Sequence, residues 1–299
     1  YSLTAANGAA LANGTASGLF DAVNNQPIYL YVNGQGEVEG RVGSDGAADP
    51  EGAVSFVIRV SGGTLEMAQY RAVEHNDSSD NDESSSPELL DNGVVFVTAT
   101  LTDGDGDTAK ASVDLAGLVA FEDDGPVIDV VSQHGETLRV DETVRGAGDE
   151  ETASAWATDK GTVLGYDTAT AAALFVTSDT GSDGGSTAYS LTAANGAALA
   201  NGTASGLFDA VSNQQIYLYV NAQGEVEGRV GSGGAADPAG ALSFVIRVSG
   251  GTLEMAQYLA VEHNDSNDHD ESGSPELLDN GVVFITATLT DGDGDSAKA

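Results

Sequence analysis

The sequence predicts an all-β protein made of tandem Ig-like, enlarged antiparallel β-sandwich modules joined by short acidic linkers. Three observations carry that prediction. Many short runs alternate apolar and polar residues with a period of two, glycine-rich turns separate them, and no stretch sustains the 3.6-residue apolar period of a long helix. The pattern is also duplicated. Residues 1–111 realign on 189–299 without a gap, an offset of 188, with about 12 differences in 111 positions.

In chain order, QPIYLYVNGQGEVEGRVG (26–43) alternates, turns at Asn33 to Gly36 and alternates again, which reads as a hairpin. The second copy has Ala222 where the first has Gly34, so that turn position does not demand glycine. VSFVIRVSGGTLEMAQY (54–70) reads as a second hairpin around Gly62 and Gly63. Tyr29, Tyr31, Tyr217 and Tyr219 alternate as core or cross-strand residues do. SPELLDNG (86–93) hints at one helical turn, with Ser86 as cap and Pro87 at its first position. GVVFVTATLTDGDGDTAKASVDLAG (93–117) reads as a third hairpin whose turn holds three aspartates.

The unrepeated stretch contains the connector LVAFEDDGPVIDVV (118–131), in which Pro126 fixes its own φ and turns Gly125 away from helix. The module boundary is expected near residue 121. Residues 1–121 then form the C-terminal part of a first β-sandwich repeat, and 122–299 a second repeat lacking its last strand. A repeat of 188 residues is longer than the roughly 100 of a simple immunoglobulin-like module. The chain reads as a window on a longer tandem array.

Composition narrows the function. The 299 residues carry 47 Asp+Glu against 10 Lys+Arg, a formal charge of -37, which repels nucleic acid and anionic lipid and favours cations as partners. A hydrophobic content of 40% in alternating runs separates the chain from the disordered acidic class. There is no cysteine, so disulfides and thiolate metal sites are excluded. No apolar run reaches the roughly 20 residues of a membrane-spanning helix, and membrane insertion is not expected.

The aspartates of LTDGDGDTAK (101–110) recur in LTDGDGDSAK (289–298). Carboxylates at i, i+2 and i+4 with glycines between them converge on one hard cation, and several carboxylate oxygens suit Ca²⁺ better than Mg²⁺. Asp103, Asp105 and Asp107 are the first candidate set, and Asp291, Asp293 and Asp295 the second. An EF-hand is excluded, because its sixth position falls on Thr108 and TAKASVDLAG alternates like a strand. The nonapeptide β-roll is excluded because the motif does not recur every nine residues.

Hairpin geometry places the second loop at the end where its own module enters, so it should face the linker residues Glu122, Asp123 and Asp124, with Ca²⁺ clamping the joint. Asp141 and Glu142 in LRVDETV are further candidate ligands, and HNDSSDNDESSSPE (75–88) reads as a solvated acidic loop with His75 on the surface. Without cations, like charges a few Å apart cost about 1 to 4 kcal/mol per pair.

LTDGDGDTA, FEDDGP and LRVDETV, with MAQYRAVEHND ahead of the third hairpin, together resemble the tandem extender repeats of giant RTX adhesins exported by type I secretion. The resemblance spans the chain. It implies an extracellular bacterial cell-surface protein whose β-sandwich modules stiffen in Ca²⁺ and project terminal binding domains. It carries metal roles to Asp103, Asp105, Asp107, Asp291, Asp293, Asp295, Asp123 and Asp124.

An enzyme is not expected. His75, His134, His263 and His269 form no HExxH spacing, and no GxSxG elbow is present. Two other readings remain: a Ca²⁺-dependent carbohydrate-binding module, and a filament subunit whose open strand edges are completed by an identical chain. Trp156 reads as a core anchor rather than a sugar platform. Neighbouring repeats of the same chain are the expected partners.

Overall fold

The structure, a computed structural model, describes residues 1–75, 85–122, 125–131, 138–140, 142, 152–182, 184–263 and 275–299. It is nearly all β, in several antiparallel sheets, consistent with the expected all-β sandwich class.

The first copy supplies β1 (Ser2–Thr4), β2 (Thr15–Phe20), β3 (Pro27–Val32), β4 (Val38–Val42), β5 (Val54–Ser61), β6 (Thr64–Gln69), β7 (Glu88–Leu89), β8 (Phe96–Thr102) and β9 (Thr108–Asp114). Two short strands follow, β10 (Ala120–Phe121) and β11 (Val127–Val130). Next come a four-residue helix α1 (Ala155–Thr158), then β12 (Gly165–Thr170), β13 (Phe175–Asp179) and β14 (Gly185–Thr192). The second copy continues with β15 (Thr203–Phe208), β16 (Gln215–Val220), β17 (Val226–Val230), β18 (Leu242–Ser249), β19 (Thr252–Gln257), β20 (Phe284–Asp291) and β21 (Ser296–Lys298).

Strands β2-β3-β4-β5-β6 form one sheet, and β1-β8-β9 another. In the second copy the larger sheet is β12-β19-β18-β17-β16-β15, one strand wider, and the smaller is β14-β20-β21. All three expected hairpins are present, as β3–β4, β5–β6 and β8–β9. Gly36 takes φ 79° at the first turn while Gly34 stays outside the left-handed region, which is why Ala222 fits the equivalent place.

Alternation decides the core. Ile28 and Leu30 of β3, Val38 and Val42 of β4, and Phe56 and Ile58 of β5 all point to one side and are buried. Ile28, Leu30, Val38, Phe56 and Ile58 pack with Leu3, Leu90, Val95, Leu115, Val119 and Phe121 in one core. Phe56 lies over Gly40, where an added Cβ would meet the ring at 2.3 Å, and Phe244 lies likewise over Gly228. The β4–β5 register shifts between Gly40 and Arg41.

The helical turn expected at SPELLDNG is absent. Glu88–Leu89 instead forms β7 and pairs with β10, Leu89 against Ala120 and Glu88 against Phe121. Burial of Leu90 and Phe121 decides the matter, since the extended form docks both into the core. Phe121 sits 5.0 Å from Phe56, ring to ring, so the expected boundary residue is itself a core residue of the first copy.

The chain divides into two compact units. One takes in Tyr1–Val127, Ser178–Ser186 and Leu289–Ala297, and the other Ile128–Thr177, Thr187–Thr288 and Lys298–Ala299. Among the described residues no helix is long and apolar enough to cross a membrane.

Two of the substitutions between copies are explained together. Asp21 is fully buried and accepts from Arg71 Nε at 2.7 Å and Nη2 at 3.1 Å. At the second copy's equivalents, Leu259 replaces Arg71 and Ser212 replaces Asn24. There Asp209 accepts instead from the Ser212 backbone N–H at 2.7 Å and hydroxyl at 2.6 Å. Each buried carboxylate therefore keeps a partner by a different route. Arg71→Leu alone should cost about 3 kcal/mol, because it strands a buried charge. Adding Asn24→Ser should recover part of that loss, and urea unfolding of the two variants reads both effects.

Candidate functional site

The two DGDGD loops close the β8–β9 and β20–β21 turns. In the first, Asp103 N–H donates to Asp107 O at 3.0 Å, while the N–H groups of Gly106 and Asp107 donate to Asp103 Oδ1 at 3.1 and 2.8 Å. In the second, Asp291 N–H donates to Asp295 O at 3.1 Å and Gly294 N–H to Asp291 Oδ1 at 3.1 Å. The final glycine of each loop has a left-handed φ, 101° at Gly106 and 110° at Gly294. Asp-Gly turn chemistry thus shapes the loops.

That shape gathers the carboxylates. Asp103, Asp105 and Asp107 each offer an oxygen within 4.8 Å of the others, and so do Asp291, Asp293 and Asp295. The two sets differ in environment: the first is exposed, whereas Asp291 and Asp295 are buried and the Asp293 side chain is 3% exposed. Asp293 Oδ2 accepts the His75 backbone N–H at 3.3 Å and lies 3.7 Å from His75 Nδ1. Asp293 Oδ1 is buried and has no hydrogen-bond partner among the described residues. An acceptor withdrawn from water without a donor is costly, and a cation relieves that cost.

Residues 289–297 belong to the same compact unit as His75. The His75 ring Nε2 lies 3.2 Å from Phe121 O. The surface placement expected for His75 is therefore incorrect, since it is 6% exposed. The period-two alternation that buries Val73 could have placed His75 inward as well.

Of the linker candidates, Glu122 is exposed, while Asp123 and Asp124 lie outside the described residues, as do Asp141 and most of the 75–88 acidic run. Glu142 is engaged otherwise: its Oε1 accepts the Val261 N–H at 2.8 Å and a Gln257 side-chain N–H.

Composition and spacing did not disclose a polar-aromatic network in the second unit. Trp156 donates its indole N–H to Glu225, which also pairs with Lys160 at 2.7 Å. The Arg247 guanidinium stacks 4.0 Å from the Trp156 ring centre and binds Glu254, to which Tyr166 also donates at 2.6 Å. Burial raises the pKa of Glu225, but hydrogen bonds from Lys160, Asn221 and Trp156 outweigh it and leave the carboxyl below its usual range. Burial, and then the Glu225 charge, push the Tyr258 hydroxyl up to about 12.

A family model described as Domain of unknown function (DUF5801) matches residues 1–116 and 137–299. No curated protein and no solved structure matches the chain.

In the exposed loop, a side-chain hydrogen bond with Asp105, reinforced by the N–H groups of Asp107, Asp105 and Gly106, holds the Asp103 carboxyl below its ordinary 3.8. A lowered folded-state pKa gives stability that is present above that ordinary value and lost as pH falls through the folded one. Carboxyl NMR titration should find Asp103 ionising below its ordinary value, and Asp105→Ala, which removes the side-chain donor, should raise it toward that value.

Proposed function

Because the chain belongs to the family described as Domain of unknown function (DUF5801), we propose its function from its own residues: a non-catalytic, Ca²⁺-stiffened extender segment of a bacterial cell-surface protein of the RTX adhesin type. The observation that carries this reading is the buried Asp291, Asp293 and Asp295 set, with the Asp293 Oδ1 oxygen lacking a hydrogen-bond donor among the described residues. The donors are all hard carboxylate oxygens, which fits Ca²⁺. Asp291, Asp293 and Asp295 would hold the ion, and Asp103, Asp105 and Asp107 would hold a second one more weakly, because water competes at an exposed set. The ion would supply charge neutralisation only.

Support for the mechanical role comes from charge and repetition. A chain of charge -37 repels itself, and divalent cations reduce that repulsion where it is most concentrated. His75 against Asp293 joins, within one compact unit, the loop of one sequence copy to a residue of the other, so an ion seated there would restrain that contact. Adhesin identity, secretion and surface location rest on the motif resemblance. A carbohydrate platform is not favoured, since Trp156 is occupied by Arg247 and Glu225.

Calorimetric titration with Ca²⁺ should show saturable binding. At a free concentration 100 times Kd, unfolding should become harder by about 2.7 kcal/mol per site. Asp293→Asn should weaken the tighter site at least tenfold and raise stability in chelator, as it removes a repelling charge. X-ray scattering should show a longer, stiffer particle in Ca²⁺. Identical melting and scattering in Ca²⁺ and in chelator would refute the reading.

A further inference from the structure

The sequence TLEMAQ occurs twice, as β6 and as β19, each the second strand of the same hairpin, yet the two are buried very differently. In the second copy Ala256 and Gln257 are buried and Glu254 is 6% exposed. In the first, Leu65 is 38% exposed, Met67 41% and the following Tyr70 66%. Since the strand residues are identical, the difference comes from what lies beside them.

Beside β19 lies β12, antiparallel and in register over six pairs from Gly165↔Gln257 to Thr170↔Thr252. The contacts run on past both ends of the strand. Leu164 N–H donates to Gln257 O at 2.7 Å and Ala171 N–H to Gly251 O at 2.8 Å. Ahead of β12, the α1 turn brings Trp156 and Lys160 onto Glu225 and accepts the Tyr258 hydroxyl at Ala157 O, 2.9 Å away. Beside β6, among the described residues, no strand is paired, and it stands at the edge of its sheet.

Every group that receives this segment in the second copy is present in the first. Glu37, Arg59, Glu66 and Tyr70 stand at the positions of Glu225, Arg247, Glu254 and Tyr258. Arg59 and Glu66 already pair at 2.5 Å, but with side chains 53% and 43% exposed, against 24% and 8% for Arg247 and Glu254. Charge is complementary as well: the segment brings Lys160 to a position where the first copy offers Glu37.

We infer that the outer edge of β6 is a docking site for a segment with the sequence of residues 154–174, supplied by a further repeat of this kind. The segment adds as a strand, Gly165 opposite Gln69 and Thr170 opposite Thr64, and its Trp156 turn lies over Glu37 and Arg59. An unpaired edge next to half-exposed Leu65 and Met67 favours such an addition. The donor is a segment not already paired to a TLEMAQ strand of its own repeat, because releasing a β12 from its own β19 breaks one six-residue ladder to make another, with no gain in pairing. This inference does not rest on Ca²⁺, and its test is run in chelator so that the two readings fail separately.

The test is hydrogen exchange on the full chain with a synthetic peptide of residues 152–176. Fragments extending to Arg71 or to Leu259 tell the two TLEMAQ copies apart. The peptide should bind saturably at one per chain and slow exchange across 64–69 at least tenfold. A Trp156→Ala peptide should bind at least tenfold more weakly. An Ala169→Pro peptide, which places proline within the added strand, should give no protection. Absence of slowed exchange at 64–69 with the parent peptide, or equal protection by the Ala169→Pro peptide, would overturn the inference.

Discussion

A β-strand must satisfy the polar groups along both of its edges, and that requirement organises this protein. In the larger sheet of each copy, antiparallel ladders between consecutive strands carry the chain from one strand to the next, so that most strands there are paired locally on both sides. The exceptions are informative. Among the described residues the same hairpin ends at an open edge in the first copy and at a covered one in the second, and the exposure of Leu, Met, Gln and Tyr side chains follows the cover rather than the sequence. Burial here is a property of the assembled repeat, and a repeat is complete only with its covering segment.

The second constraint is electrostatic. With 47 acidic residues and 10 basic ones, most carboxylates have no basic partner to find, so the buried ones show how the fold manages the shortage. Asp21 takes one of the few arginines. Asp209 does without one and draws on a serine hydroxyl and a backbone N–H. Glu225 and Glu254 share Lys160, Arg247 and two aromatic donors in one network. Asp293 takes the His75 N–H on one oxygen, and its other oxygen has no donor among the described residues.

The parts of the fold that could be read from the sequence were those set by local pattern. Alternation located the three hairpins and their turns, and the substitution of Ala222 for Gly34 correctly marked a turn position free of left-handed strain. What escaped was set by distant partners. Ser86 and Pro87 carry a helix-start signal, but pairing with Ala120 and Phe121 overrode it. The network around Trp156 joins residues up to 91 positions apart and has no local spacing to reveal it. The aspartate triads were legible because i, i+2, i+4 spacing in a glycine turn is itself local. Their unequal burial was not, since the two loops are nearly identical in sequence.

Near-identity of the copies turns the molecule into its own comparison. Where two stretches share a sequence and differ in environment, intrinsic propensity cancels and what remains is context: a covering segment for β19, and a buried setting for the second aspartate loop. Context of that kind is what a repeat acquires from its neighbours. A module whose exposed strand edge and whose uncompensated carboxylate both call for something outside its own sheet is suited to a chain of like modules. On the proposed reading, such a chain would supply backbone pairing at the edge and a cation at the carboxylate.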